Sequence, residues 1–264
     1  ETDRTWALIE ELAGEVAPFN VFRYANDYHN LKAAIKLAYS ANRETDTSRY
    51  FIKYGTVDVS VIQKAALEHN FAPLPDAMAA AGREAYEVLA HSGNGQLSDM
   101  VIDRAALVAI DKAGKSSESQ LLKKYAELTV DVANIKAAVR CCVMQKPRDF
   151  IGREVAQAGT RETRALVDAA AQSREALYAY LDNTDYAGAV EALKNSMAAF
   201  ERWCDDQLIQ MIRPQRYNYF GIEPLAAYIL GRENEIRMVR LILSAKINGL
   251  SDDILRERLR ITYV

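Results

Sequence analysis

Asp27-Tyr28-His29-Asn30-Leu31-Lys32-Ala33-Ala34-Ile35-Lys36 returns 104 residues later as Asp131-Val132-Ala133-Asn134-Ile135-Lys136-Ala137-Ala138-Val139-Arg140. Eight of the ten positions are identical or chemically equivalent. Self-similarity at a long, fixed interval is the mark of a chain built from repeated supersecondary units. A weaker third copy follows about 101 residues on: Glu235-Ile236-Arg237, with Arg240 and Leu241 behind it and the leading acid displaced to Glu233. Each copy leads into a turn, an Asp and a short amphipathic segment. The turns are Gly55-Thr56-Val57-Asp58, Lys146-Pro147-Arg148-Asp149 and Gly249-Leu250-Ser251-Asp252.

Around these copies the pattern is helical. Apolar residues recur at three- and four-residue spacings over 74–91, 97–113, 117–145, 160–182, 185–213, 223–247 and 251–260. Turn signals separate the segments at Pro73-Leu74-Pro75, Ser92-Gly93-Asn94-Gly95, Lys146-Pro147 and Asn248-Gly249. Only Arg49–Val59 reads as a short extended piece. The expected class is all-α, in three similar helical repeats over 1–70, 71–158 and 159–264. The first has only Trp6–Val16 ahead of its motif helix and is expected to be truncated at its amino end.

Composition narrows function more than it names it. Half of the 264 residues are apolar and 26% are charged, with twelve Gly and six Pro, which is a globular composition. A net charge of −3 is not the basic surplus of a nucleic-acid binder. No apolar run approaches the ~18 residues needed to span a bilayer. Three cysteines, two of them adjacent (Cys141 and Cys142), read as free thiols in a reducing, cytosolic compartment.

Motifs that carry chemistry fall short one by one. Ala113-Gly114-Lys115-Ser116-Ser117 resembles the end of a phosphate-binding loop, but Ala109 stands where the motif needs its first Gly, and no strand precedes it. An interhelix turn is the expectation there. His29, His69 and His91 are scattered without metal-ligand spacing. The pairs Asp205-Asp206 and Asp252-Asp253 lack the third Asp of a metal-binding DDxxD, since Ile209 and Arg256 occupy its place. No Gly-x-Ser-x-Gly elbow occurs. Catalytic, cofactor and metal residues are therefore expected to be absent.

Two sets of residues remain. Asn30 and Asn134 hold one position of the repeated helix; a buried Asn there would bond a neighbouring helix terminus and lock the same joint in each repeat. A partner contact is the other reading. Arg256, Arg258 and Arg260 make the carboxyl-terminal stretch locally positive and are the candidate partner interface.

Phe220-Gly221-Ile222-Glu223-Pro224-Leu225 opens a helix with Pro in its first turn. It runs through Glu233-Asn234-Glu235-Ile236-Arg237 to Lys246-Ile247-Asn248-Gly249-Leu250. The stretch closes on Arg256-Glu257-Arg258-Leu259-Arg260 and Tyr263-Val264. Together with Asp27–Lys32 and Asp131–Ile135, these motifs resemble the C subunit of the A/V-type rotary ATPases, equivalent to the d subunit of vacuolar ATPases. The resemblance runs along essentially the whole chain, short of the family's first helices. It implies a pseudo-threefold funnel of three helical domains and a non-catalytic central-stalk role. The wide face would meet the membrane rotor-ring subunits, and the other end the central-stalk subunits of the soluble sector. A helical-repeat adaptor unrelated to rotary motors would share the repeats but not the carboxyl-terminal signature, and an all-α enzyme would need a polar cluster that the sequence does not offer.

Overall fold

The computed structural model describes residues 1–40, 47–159 and 162–263, and within them the chain is helical with no β-strand. Thirteen α-helices follow in order among these residues. They are α1 (Thr2–Ala13), α2 (Asn20–Tyr39), α3 (Val59–Leu67), α4 (Asp76–Ser92), α5 (Gly95–Ser116), α6 (Gln120–Val143) and α7 (Arg148–Glu154). The rest are α8 (Thr163–Gln172), α9 (Arg174–Asp182), α10 (Ala187–Asn195), α11 (Met197–Ile212), α12 (Glu223–Ile247) and α13 (Asp252–Arg258).

Helix ends follow local chemistry. Asp58, Asn94, Ser119 and Ser251 each accept a backbone N–H from the first turn of the helix they precede, as capping requires. The periodic stretches 160–182 and 185–213 each read as one helix. The structure breaks both, at Ser173 and Ser196, and the first two positions of the former lie outside the described residues. Both serines are extended, and their hydroxyls cap the next helix at Ala176 and Ala199. A Ser offers the backbone an alternative to the helical bond, a signal that hydrophobic periodicity does not register. At its carboxyl end α12 closes on Gly249 (φ +66°), with Leu250 N–H reaching back to the Ala245 carbonyl.

Three apolar cores organise the chain. The central one joins Trp6 and Ile9 of α1, Phe22 of α2, Ile110 of α5, and Leu122, Ala126 and Val130 of α6. Ile209 and Ile212 of α11 and Ala226–Leu230 of α12 complete it. A second gathers the carboxyl half of α2 (Leu31, Ala34, Ile35) under α3, α4 and the first half of α5. A third gathers the carboxyl half of α6 (Ile135, Ala138, Val139) under α7–α10 and the first half of α11. The three helices that carry the recurring sequence thus meet through their amino halves. Full burial of a side chain such as Phe19 or Leu122 contributes about 1.5–3 kcal/mol, so this shared core is a major source of cohesion.

The Gly114-Lys115 stretch is not an interhelix turn. It lies in the last turns of α5. A β-carbon on Gly114 would stand 2.2 Å from that of Ala126, so the glycine lets α5 and α6 cross closely. Lys115 pairs with Asp111 at 2.7 Å.

Candidate functional site

A helix that carries Asn one turn after Asp presents both on one face. In α2 that face also holds Arg23 and Asn26, and it clamps the irregular segment Phe51–Val57, which bends at Tyr54 (φ +66°). Asn30 binds Ile52 twice: its Nδ2 donates to the Ile52 carbonyl at 2.8 Å, and its Oδ1 accepts the Ile52 N–H at 2.8 Å. Asp27 Oδ1 accepts the N–H groups of Thr56 (2.8 Å) and Val57 (3.1 Å), while Oδ2 takes the Thr56 hydroxyl at 2.6 Å. Arg23 donates to the carbonyls of Tyr54 and Gly55. A segment outside helix and sheet has no ladder to satisfy its backbone, and here side chains of a helix do so instead.

The same joint is built on α6. Asn134 Oδ1 accepts the Ala156 N–H at 2.9 Å, and its Nδ2 donates to the Ala156 carbonyl at 3.0 Å. The interval from Asn to its partner is 22 residues in both cases. Asn30 and Asn134 therefore each hold the backbone just past a helix end, Ile52 after the 3-10 turn Ser48–Tyr50 and Ala156 after α7. Asp131 again sits against a glycine: Gly159, at φ +93°, corresponds to Gly55, and a β-carbon on either would fall 2.2–2.3 Å from the carboxylate. The Tyr186 hydroxyl donates to Asp131 Oδ2 at 3.1 Å. Beside Asp27 that space is instead an open, mostly apolar groove of about 730 Å³ between α4 and α5, with Arg104 and Lys112 on its lining.

The third joint uses a residue that the repeat pattern does not single out. Asn234, not Glu235, is the counterpart of Asn134, one hundred positions on in the same helical register. It is buried, and its Nδ2 donates to the Ile261 carbonyl at 3.1 Å. The Ile261 N–H goes to Asp206 Oδ1 on α11 at 2.8 Å. Gly231 stands where the other two helices have Asp, and the Tyr263 ring lies over it. Bulk and space have changed sides across the contact. Pairing Ile236 with Ile135 hides the signal that Glu233-Asn234-Glu235 carries.

The candidate arginines divide. Arg256 and Arg258 are exposed on α13. Arg260 turns inward: 14% of its side chain is exposed, and it pairs with Asp205 at 2.9 Å. Its backbone N–H approaches the Met238 sulfur at 3.3 Å. Burial raises the Asp206 carboxyl above its ordinary range, with the Ile261 N–H pulling it back. Burial also pushes Glu233 up to about 7, opposed by Arg237.

His29, His69 and His91 are not gathered, and no group of three His, Cys, Asp or Glu among the described residues is placed to hold a metal. No helix among them is long and apolar enough to cross a membrane.

Residues 2–258 match the ATP synthase (C/AC39) subunit family. The chain belongs to that family. Among its relatives, this C/AC39 protein is 22% identical over 267 residues to the C subunit of the V-type sodium ATPase of Enterococcus hirae, covering all of this chain and 80% of the relative. It is 24% identical over 151 residues to the C subunit of the A-type ATP synthase of Thermococcus kodakarensis, 55% of this chain and 41% of that protein. Against the C subunit of the A-type ATP synthase of Methanococcoides burtonii it is 21% identical over 244 residues, 88% of this chain and 68% of the relative. The C/AC39 protein is thus a member of a V/A-type ATPase complex, and its three joints lie on the segments that first suggested the resemblance.

Proposed function

We propose that this C/AC39 protein is a non-catalytic coupling piece of the central stalk. It would join the rotor of the soluble ATP-hydrolysing sector to the membrane ion-translocating ring, lying on the cytoplasmic side without entering the bilayer. Its three helical repeats, over 1–70, 71–158 and 159–264, form a pseudo-threefold funnel, with the amino halves of α2, α6 and α12 as the hub. The observation that carries this reading is the clamp made by Asn30, Asn134 and Asn234 on each of the three helices that share the central core. A part that transmits torque must resist local yielding, and three like joints around one core tie α2, α6 and α12 each to a loop without relying on any single contact.

The family relationship supports the same role, since the relatives are subunits of sodium-pumping and ATP-synthesising complexes. A repeat adaptor outside rotary motors would share the joints but not the match along residues 2–258. The test is reconstitution. Purified rotor ring and purified stalk subunits should sediment together when this protein is added and apart when it is left out. Sedimentation of neither or of only one with the protein would overturn the coupling role.

A further inference from the structure

The first two joints differ in what stands beside the Asp. At the second, the place is filled by Tyr186, the residue that precedes α10 at its N-cap. Tyr186 is buried, its ring lies edge-on to Trp203 of α11 with centroids 6.3 Å apart, and its hydroxyl donates to Asp131 Oδ2. A buried tyrosine ordinarily needs such a partner for its hydroxyl. In the first repeat α4 packs on α5 as α10 packs on α11. The N-cap of α4 is Pro75, which has neither an aromatic ring nor a hydroxyl to offer.

Nothing else in the chain takes up that room. Pro75 lines the groove of about 730 Å³ described above, with Ala81 of α4 on one side and Ala105 and Ala109 of α5 on the other. Val108 of α5 also lines it and is left 46% exposed. The volume is that of a site which takes a whole ligand rather than one water-filled gap.

Asp27 is buried, yet it stands on the lining of this groove together with Thr56. Its Oδ1 holds the Thr56 and Val57 N–H groups, and its Oδ2 accepts the Thr56 hydroxyl. A carboxylate oxygen can accept two donors. Oδ2 therefore keeps an acceptor site like the one that Asp131 gives to Tyr186. The two sides of the groove also differ in charge: α4 brings Asp76 and Glu84, and α5 brings Arg104 and Lys112. Arg104 and Glu84 approach no closer than 3.8 Å, so each retains capacity for another partner.

We infer that this groove seats a tyrosine of another polypeptide, its ring between α4 and α5 and its hydroxyl on Asp27 Oδ2. The incoming residue does for the first repeat what Tyr186 does for the second. The room beyond one ring, and the charges on both sides, suit a peptide segment with a basic residue toward α4 and an acidic one toward α5. The inference rests on the correspondence of the first two repeats and is independent of the coupling role.

Methionine-methyl NMR tests it, since Met78 lines the groove and the exposed Met144 does not. The probe is the blocked tripeptide Glu-Tyr-Lys, with Glu-Phe-Lys as its partner lacking the hydroxyl. The tyrosine peptide should shift the Met78 methyl saturably and leave Met144 in place. The phenylalanine peptide should bind about five-fold more weakly or worse, for want of a hydrogen bond to a charged acceptor. Val108→Trp, at a half-exposed position, should fill the groove, abolish the shift and leave melting near wild type. In a Cys142→Ser background, Val108→Cys should react with a maleimide several-fold more slowly in the purified ATPase complex than in the isolated protein. Equal affinity for the two peptides, a Met78 shift that survives Val108→Trp, or equal labelling in complex and isolated protein overturns the inference. So does para-cresol binding as tightly as the tyrosine peptide, which would assign the groove to a free phenol. Protection of Val108→Cys that grows with concentration of the isolated protein overturns it too, in favour of a second copy. None of these outcomes depends on whether the protein joins ring to stalk.

Discussion

Gly159 lies so close to Asp131 that a β-carbon on it would stand 2.3 Å from the carboxylate oxygen Oδ1. Its φ of +93° is also one that side-chain-bearing residues rarely adopt. Gly159→Ala should therefore force the loop after α7 off α6 and destabilise the fold by about 2–4 kcal/mol, combining overpacking with backbone strain. Gly55→Ala meets the Asp27 carboxylate in the same way but without the unusual φ, and should cost about 1–3 kcal/mol. Urea midpoints of the two variants, compared at equal m-value, check both the loss and its order.

Asn134→Ala removes one donor and one acceptor from a buried joint and leaves the Ala156 N–H unpaired, while the Ala156 carbonyl keeps the Ala158 N–H at 2.9 Å. The usual cost of such an orphaned group is about 1–3 kcal/mol. Asn30→Ala should fall in the same range. Asn234→Ala should cost less, because the Ile261 N–H retains Asp206. Chemical denaturation of the three variants would show this ranking. Equal midpoints for wild type and Asn134→Ala would mean that the joint adds nothing to stability.

The sequence announced these joints unevenly. Asn30 and Asn134 stood out because a polar residue recurred at one position of a repeated helix, and burial leaves such a residue few uses but hydrogen bonding. Their partners were not legible: Ile52 and Ala156 take part through their backbones, which are alike for every residue. Gly55 and Gly159 sit at matching intervals from Asp27 and Asp131, but a single glycine in a loop has too many uses to be assigned one. The all-helical class followed from periodicity, whereas the breaks at Ser173 and Ser196 did not, because a capping hydroxyl can end a helix without interrupting its apolar pattern. Arg260 read as one of three equivalent arginines, although it faces Asp205 from 55 residues away.

Glu233 makes stability depend on pH. Its carboxyl titrates near 7 in the folded protein, against an ordinary value of 4.5, because burial disfavours the charge. Between those values the folded state holds a proton that the unfolded chain has released, so stability falls as pH rises through this window. Glu233→Gln should flatten that decline and leave the protein about 1–3 kcal/mol more stable than wild type at pH 8. Arg237, and Tyr125 on α6, are the other ionisable groups facing it. Urea titrations at pH 5 and pH 8 decide it: a wild-type midpoint that does not drop between them removes Glu233 as the cause.

Reversing the arginines should separate fold from partner. Arg260→Glu would set a third carboxylate beside Asp205 and Asp206 and should lower the melting temperature. Arg256→Glu with Arg258→Glu changes exposed positions on α13 and should leave melting and helical circular dichroism near wild type. The double variant should bind purified stalk subunits several-fold more weakly. Unchanged affinity in a normally folded double variant would remove α13 from the interface.

At the first two joints the Asn contacts are made by an amide side chain and the peptide backbone, both uncharged. Dissolved ions have nothing there to screen, and acid or base has nothing to titrate. Surface ion pairs such as Lys36–Asp99 weaken as electrolyte rises. The Asn30 and Asn134 clamps should keep their strength across the ionic compositions that an ion-translocating machine works among. What the two Asn clamps add to the stiffness of their joints is set by geometry and not by salt.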